Sequence, residues 1–265
     1  MNTFLPWLEH NHGKIDALLI DIDGTLLIAG KPAPGAAALL NYLDSNEIPC
    51  LLTTNDCVHS QMEKAAILAQ AGLHVPPDRI VSCGCLIARQ LRLSHVKKLA
   101  VAGMIHPDYY SSAEMVLPED ADETVNAVLV NRGMHNFESD IAMIVNLLRK
   151  NPLAELIFAN SDLLRVTGSF AGFFPSCGLY KSVLLSIMSE LALTNPCFTA
   201  GKPDPAFWKY CEDKLGCMTQ RNKILSIGDT FQTDAAGAID YGFQGVCLTS
   251  ARHESVPCFS ALARE

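Results

Sequence analysis

The chain is predicted to be an α/β protein built on a parallel sheet, with a second, smaller α/β domain inserted into it. Three observations carry this. Short apolar runs bounded by turn residues alternate with segments of helical period. The run at 17–20 is apolar throughout and ends on carboxylates, as expected of a strand buried on both faces. The residues suited to chemistry all fall before residue 60 or after residue 198, which leaves the middle third as an insertion.

In chain order, strands are expected at 17–20, 48–53, 80–82 and 224–227, and helices at 34–45, 60–71, 179–191, 203–214 and 233–241. Gly72 and Gly242 stand just past two of these helices, where a left-handed terminating residue is favoured. A second series lies between: strands at 99–102, 127–131 and 156–160 and a helix at 137–150. The boundaries are placed so that 1–82 and 180–265 form one discontinuous core and 83–179 the inserted domain.

The 265 residues suffice for a sizeable core, burying roughly 70 to 75 % of the unfolded surface. Hydrophobic residues make up 49 % and charged residues 18 %, a globular composition. A net charge of -8 argues against partners held through a broad basic surface, so neither nucleic acid nor an anionic membrane is expected. Glu9, Lys14 and Asp16 interrupt the first twenty residues, and no later run is long enough to span a bilayer, so no signal peptide or membrane segment is expected. The ten cysteines are scattered, which with no secretory signal reads as reduced cytoplasmic thiols. Cys83 and Cys85 lack the second pair of a zinc site and read as packing residues.

Four places carry chemistry. The run Leu18-Leu19-Ile20 leads into Asp21-Ile22-Asp23-Gly24-Thr25, so that two carboxylates two residues apart on extended chain face one way before Gly24 turns the backbone. Such a pair repels itself, and a divalent cation relieves the repulsion. Taken alone, the pair reads equally well as turn caps; an EF-hand loop is a poorer reading, because the later oxygen ligands are absent and an apolar strand precedes the pair. The second strand ends in Thr53-Thr54-Asn55-Asp56, groups that hydrogen-bond phosphate oxygens or cap a turn. Lys202 lies in the turn Ala200-Gly201-Lys202-Pro203-Asp204-Pro205 before a helix, and taken alone reads equally as a fixed ammonium or a solvated surface charge. Finally Ile224-Leu225-Ser226-Ile227 leads into Gly228-Asp229, with Asp234 opening the next helix as a supporting acid or a helix N-terminal charge.

In this order and at these separations, the four motifs resemble the haloacid dehalogenase superfamily. Thr54-Asn55, the single long insertion and Phe158-Ala159-Asn160-Ser161-Asp162 look like its NagD-type subfamily. The resemblance implies a doubly wound Rossmann-like parallel-sheet core with an α/β cap domain of the C2 type. It implies Asp21 as the nucleophile forming an aspartyl-phosphate, and Asp23 as general acid and then base. It implies Thr54 and Lys202 on the phosphoryl oxygens with Gly24 and Asn55 beside them, Mg2+ on the Asp21 carboxylate, the Asp23 carbonyl and Asp229, and Asp234 behind these ligands. Asn160, Asp162 and Arg165 become substrate contacts from the cap, or loop and salt-bridge residues.

The implied reaction is hydrolysis of a small phosphorylated metabolite such as a nucleotide monophosphate or sugar phosphate. Transfer to another acceptor, a phosphoacceptor signalling module and a non-catalytic binding protein are the alternatives. The cap surface is left open as a homodimer interface. The chain departs from the subfamily pattern at Asp56, Ala159, Asn131-Arg132-Gly133 and Leu248-Thr249-Ser250. These departures bear on substrate identity rather than on chemistry.

Overall fold

The computed structural model describes residues 4–134, 136–167, 170–216 and 219–248, with side chains left out at 166–173. In chain order the strands are β1 (Ala17–Asp21), β2 (Leu27–Ile28), β3 (Lys31–Pro32), β4 (Cys50–Thr54), β5 (Ile80–Ser82), β6 (Lys98–Ala102), β7 (Glu114–Val116), β8 (Ala127–Val130), β9 (Glu155–Phe158), β10 (Leu164–Thr167), β11 (Phe170–Pro175), β12 (Cys197–Thr199), β13 (Ile224–Gly228) and β14 (Gln244–Cys247). The α-helices are α1 (Phe4–Asn11), α2 (Ala36–Ser45), α3 (Gln61–Gln70), α4 (Cys83–Leu93), α5 (Phe137–Lys150), α6 (Cys177–Glu190), α7 (Pro205–Leu215) and α8 (Gly237–Tyr241).

The chain divides into two compact units. The first comprises 1–54, 61–81 and 207–265. Its sheet runs β14-β13-β1-β4-β5, with β1 parallel to both β4 and β13 and β13 parallel to β14. The order reverses direction at β1, the doubly wound topology, and puts a crevice outside the carboxyl ends of β1 and β13. Every residue of β1, β4 and β13 is buried. Leu18 and Ile20 join Phe4, Leu8, Leu39 and Leu43 in one core cluster, while Ala17 and Leu19, also buried, point the other way. Burial on both faces explains why these strands read as unbroken apolar runs. Gly72 and Gly242 take positive φ of 77° and 104°, and Gly242 closes α8.

The second unit comprises 55–60 and 82–206. Its sheet runs β12-β9-β8-β6-β7, with every neighbouring pair parallel. Four strands end level: Ala102 is opposite Val130, Val130 opposite Phe158 and Phe158 opposite Thr199. An antiparallel pair, β10 and β11, completes it.

The unit is larger than the inserted domain expected at 83–179. The residue 179 boundary falls inside α6, and β12 pairs with β9, so the chain through 206 belongs with the second sheet. A three-residue strand, Cys197–Thr199, carries too few residues for a periodic signal, and its partner is known only once the sheet is assembled. Residues 55–60 join this unit because its loops hold them. The Asn131 amide donates to Cys57 Sγ at 3.2 Å, His106 N to the Cys57 carbonyl at 2.8 Å and the Tyr109 hydroxyl to the His59 carbonyl at 3.0 Å.

The expected helix at 233–241 begins earlier, as a π-helical stretch Phe231–Ala236 continued by α8. Helix α4 immediately follows β5 and was not foreseen. Cys83 and Cys85 lie in it, buried, as packing residues.

Candidate active site

In the first unit, Asp21 closes β1 and is 6 % exposed. Thr53, its register partner on β4, accepts the Ile22 amide at 3.1 Å. The chain then turns: Leu26 N and Leu27 N both reach the Ile22 carbonyl, and Gly24 N reaches Leu27 O at 2.8 Å. Gly24 sits at φ +105°, and a Cβ there would overlap the Asp229 carboxylate. Gly228 has the same function towards Asp234, whose carboxylate fills the space a Cβ would take. Gly24, expected for turning, therefore also makes room for an acid, and Gly228 does the same without having been expected to.

One carboxylate oxygen from each of Asp21, Asp229 and Asp234 lies within 4.8 Å of the others. Asp234 is 2 % exposed and accepts the Thr230 amide at 3.1 Å. Two unit charges 4 Å apart near a protein surface repel by about 4 kcal/mol, so three such acids favour a bound cation. An all-oxygen donor set suits a hard divalent ion and lacks the nitrogen or sulfur that zinc selects. Asp234, expected behind the ligands, lies with Asp21 and Asp229 in one acidic cluster.

The Asp23 side chain is 52 % exposed and bound on one side. Thr54, at the end of β4, donates its hydroxyl to Asp23 Oδ2 at 2.9 Å. Lys64 Nζ lies 3.1 Å from Oδ2 and 3.3 Å from Oδ1. Lys64 was not among the expected site residues. Its signal is in α3, where Lys64 and Leu68 are four apart on one face and both are buried. The Thr54 hydroxyl, expected on phosphate, engages Asp23 here.

The second unit holds the other expected residues. Asn55 is a buckle: its Oδ1 accepts Lys202 N at 2.8 Å, and its Nδ2 donates to Lys202 O at 3.1 Å and to Asp162 Oδ2 at 3.0 Å. Asn160 donates to the Asn55 carbonyl at 3.0 Å and accepts Asp162 N at 3.1 Å. The Cys83 thiol, pushed well up by burial and further by Cys57, stays neutral and also donates to that carbonyl, at 3.2 Å.

A Cβ on Gly201 would stand 2.5 Å from Asn55 Oδ1 and 2.7 Å from Asn160 Cβ, so only glycine lets the three segments meet. Asn55, Asn160 and Asp162 thus fix the backbone around Lys202, which is 2 % exposed. Arg165 lies on β10 with its guanidinium 5.3 Å from the Phe174 ring centre. Of the late departure Leu248-Thr249-Ser250, Thr249 and Ser250 lie outside the described residues.

The chain has relatives among known proteins. Residues 18–108 match the family described as haloacid dehalogenase-like hydrolase, and residues 199–258 one described as HAD-hydrolase-like. The chain is 27 % identical over 238 residues to a dihydroxyacetone phosphatase of Corynebacterium glutamicum, covering 88 % of this chain and 80 % of that protein. It is 25 % identical over 239 residues to the ribonucleotide monophosphatase NagD of Escherichia coli, covering 89 % and 88 %. Among solved structures, a 4-nitrophenylphosphatase from Thermotoga maritima superposes with a TM-score of 0.75 at 19 % identity, covering 92 % of this chain and 88 % of that one. No helix among the described residues is long and apolar enough to cross a membrane.

Proposed function

Because the chain belongs to the haloacid dehalogenase-like hydrolases, as a NagD-like phosphatase, we propose that it hydrolyses a small phosphorylated metabolite through an aspartyl-phosphate on Asp21, with magnesium as cofactor. The observation that carries this reading is the acidic cluster: Asp21 at the end of β1, gathered with Asp229 and Asp234, with Asp23 two residues on and half exposed.

An Asp21 carboxylate oxygen attacks phosphorus while the bond from phosphorus to the alcohol oxygen breaks, and Asp23 gives that oxygen its proton. Asp23, now a carboxylate, takes a proton from water, whose oxygen attacks phosphorus, releases inorganic phosphate and restores Asp21. Thr54 and Lys64 hold the Asp23 side chain in one place for both proton transfers. Lys202 is the phosphate-binding lysine, its backbone clamped by Asn55. Asp21, Asp229, Asp234 and the Asp23 carbonyl would hold Mg2+, which would supply positive charge for the phosphoryl oxygens. The substrates named for the relatives, dihydroxyacetone phosphate, sugar phosphates and ribonucleotide monophosphates, set the size class. Free thiols at the described cysteines support a reducing, cytoplasmic setting.

The test is phosphate release from nucleotide monophosphates, sugar phosphates and a nitrophenyl ester, with magnesium or chelator, and Asp21→Asn as control. Magnesium-dependent turnover that disappears in Asp21→Asn is expected. Turnover unchanged by the chelator or by the substitution overturns the mechanism.

A further inference from the structure

Ligands of open parallel α/β sheets bind beyond the carboxyl ends of the strands. In the second unit that edge is level, and three cations leave it. Arg132 is two residues past β8, Lys202 three past β12, and Arg165 follows the loop after β9. The Arg132 loop is pressed onto its neighbour, since a Cβ on Gly103 would stand 2.7 Å from the Arg132 carbonyl, and Met104 N donates to that carbonyl at 2.9 Å.

Arg132 and Arg165 are short of acids. Arg165 Nε is buried with no hydrogen-bond partner, and no carboxylate among the described residues pairs with this side chain. The neighbouring stretch 166–173, Val-Thr-Gly-Ser-Phe-Ala-Gly-Phe, contains no acid. Burial, and then the charge of Arg132, hold the Arg165 guanidinium below its ordinary value. Among the described residues Arg132 has one acidic partner, Asp56, at 3.9 Å, and that carboxylate already accepts Val58 N at 2.9 Å and faces His59 Nδ1 at 2.7 Å. Two cations leaving one sheet edge, one with a buried unfilled donor and the other with a single long contact to a shared carboxylate, are an arrangement that an oxyanion satisfies. Guanidinium is the group suited to bidentate contact with a carboxylate or phosphate.

We propose that Arg132 and Arg165 form a second anion subsite and that the substrate is a phosphomonoester bearing a further anionic group, a carboxylate or a second phosphate. The inference rests on the phosphatase reading above and adds the substrate class. The strand ends that carry Lys202 and Arg132 are two strand spacings apart, roughly 10 Å.

The test separates binding from turnover. Calorimetry on the full chain carrying Asp21→Asn, with magnesium, compares 3-phosphoglycerate with glycerol 3-phosphate and fructose 1,6-bisphosphate with fructose 6-phosphate. The more anionic member of one pair should bind about 10- to 100-fold tighter, the first pair marking a carboxylate and the second a phosphate. Adding Arg165→Ala or Arg132→Ala should erase the preference, and Arg165→Lys should restore part of it, which guards against simple misfolding. Equal binding within both pairs, no measurable binding in either, or a preference that survives both alanine variants overturns the inference. Turnover of the nitrophenyl ester by the unsubstituted protein decides the phosphatase reading independently. Turnover without a preference sinks the subsite alone, whereas a preference without turnover sinks the hydrolase alone.

Discussion

Lys64 Nζ lies 3.1 and 3.3 Å from the two carboxylate oxygens of Asp23, on a side chain that is 6 % exposed where its partner is 52 % exposed. The lysine is thus fixed by its surroundings and the aspartate is fixed by the lysine. An acid that must serve two successive proton transfers benefits from being held in one rotamer, because small displacements of a catalytic group are expensive.

Replacing Lys64 with Met should therefore lower kcat about 10- to 100-fold, and Lys64→Arg should recover part of it. Because Asp23 is half exposed, its loss of a partner should change stability by less than about 1 kcal/mol. Steady-state kinetics and chemical unfolding on the same preparations check both. Equal activity of Lys64→Met and the unsubstituted chain would remove Lys64 from the site.

The three-acid cluster predicts metal-dependent stability. At magnesium one hundred times above its dissociation constant, unfolding should cost about 2.7 kcal/mol more than in chelator. Asp234→Asn should weaken magnesium binding about 10- to 100-fold, the range found when groups that shape a metal site are removed. Thermal unfolding across a magnesium series measures both effects, and an unchanged midpoint in Asp234→Asn would place this residue outside the site.

Gly24→Ala should lose activity and about 1 to 3 kcal/mol of stability, since it adds a Cβ against the Asp229 carboxylate at φ +105°. Gly30, at φ +76° with open space around it, is the control. Gly30→Ala shares the backbone strain and should leave metal-dependent turnover intact. Equal kinetic losses in the two variants would show that strain, not crowding of Asp229, is responsible.

Asn55 joins the Lys202 backbone on both sides, so Asn55→Ala should leave buried amide and carbonyl groups unsatisfied and cost about 1 to 3 kcal/mol. Its kinetic effect should be a raised KM for every phosphomonoester alike, because the residue sets the place of Lys202. A KM change confined to one substrate would make Asn55 a direct contact instead.

Much of this was legible in the linear chain. Asp21 and Asp23 stand two apart at the end of an apolar run, Gly228-Asp229 repeats the pattern, and a parallel sheet carries such runs to one edge. These are local signals: strand period, turn chemistry and charge at a strand end. Lys64 was harder to read, since a lone lysine on a ten-residue helix normally faces water, and only its four-residue offset from Leu68 hinted otherwise. Arg132 was visible as a departure from pattern but not as a residue at the same sheet edge as Lys202, because 70 positions separate them and the strand order sets their place.

By itself the sequence determined the order of the motifs, the chemistry of each and the alternation of strand and helix, because each depends on neighbours within a turn or a pleat. The tertiary structure decided which acids share a cluster, which lysine holds Asp23, that 55–60 and 180–206 pack with the second sheet, and that Arg132 and Lys202 leave one level sheet edge. Those outcomes depend on strand order and register, which bring together residues distant along the chain through contacts that no local pattern encodes.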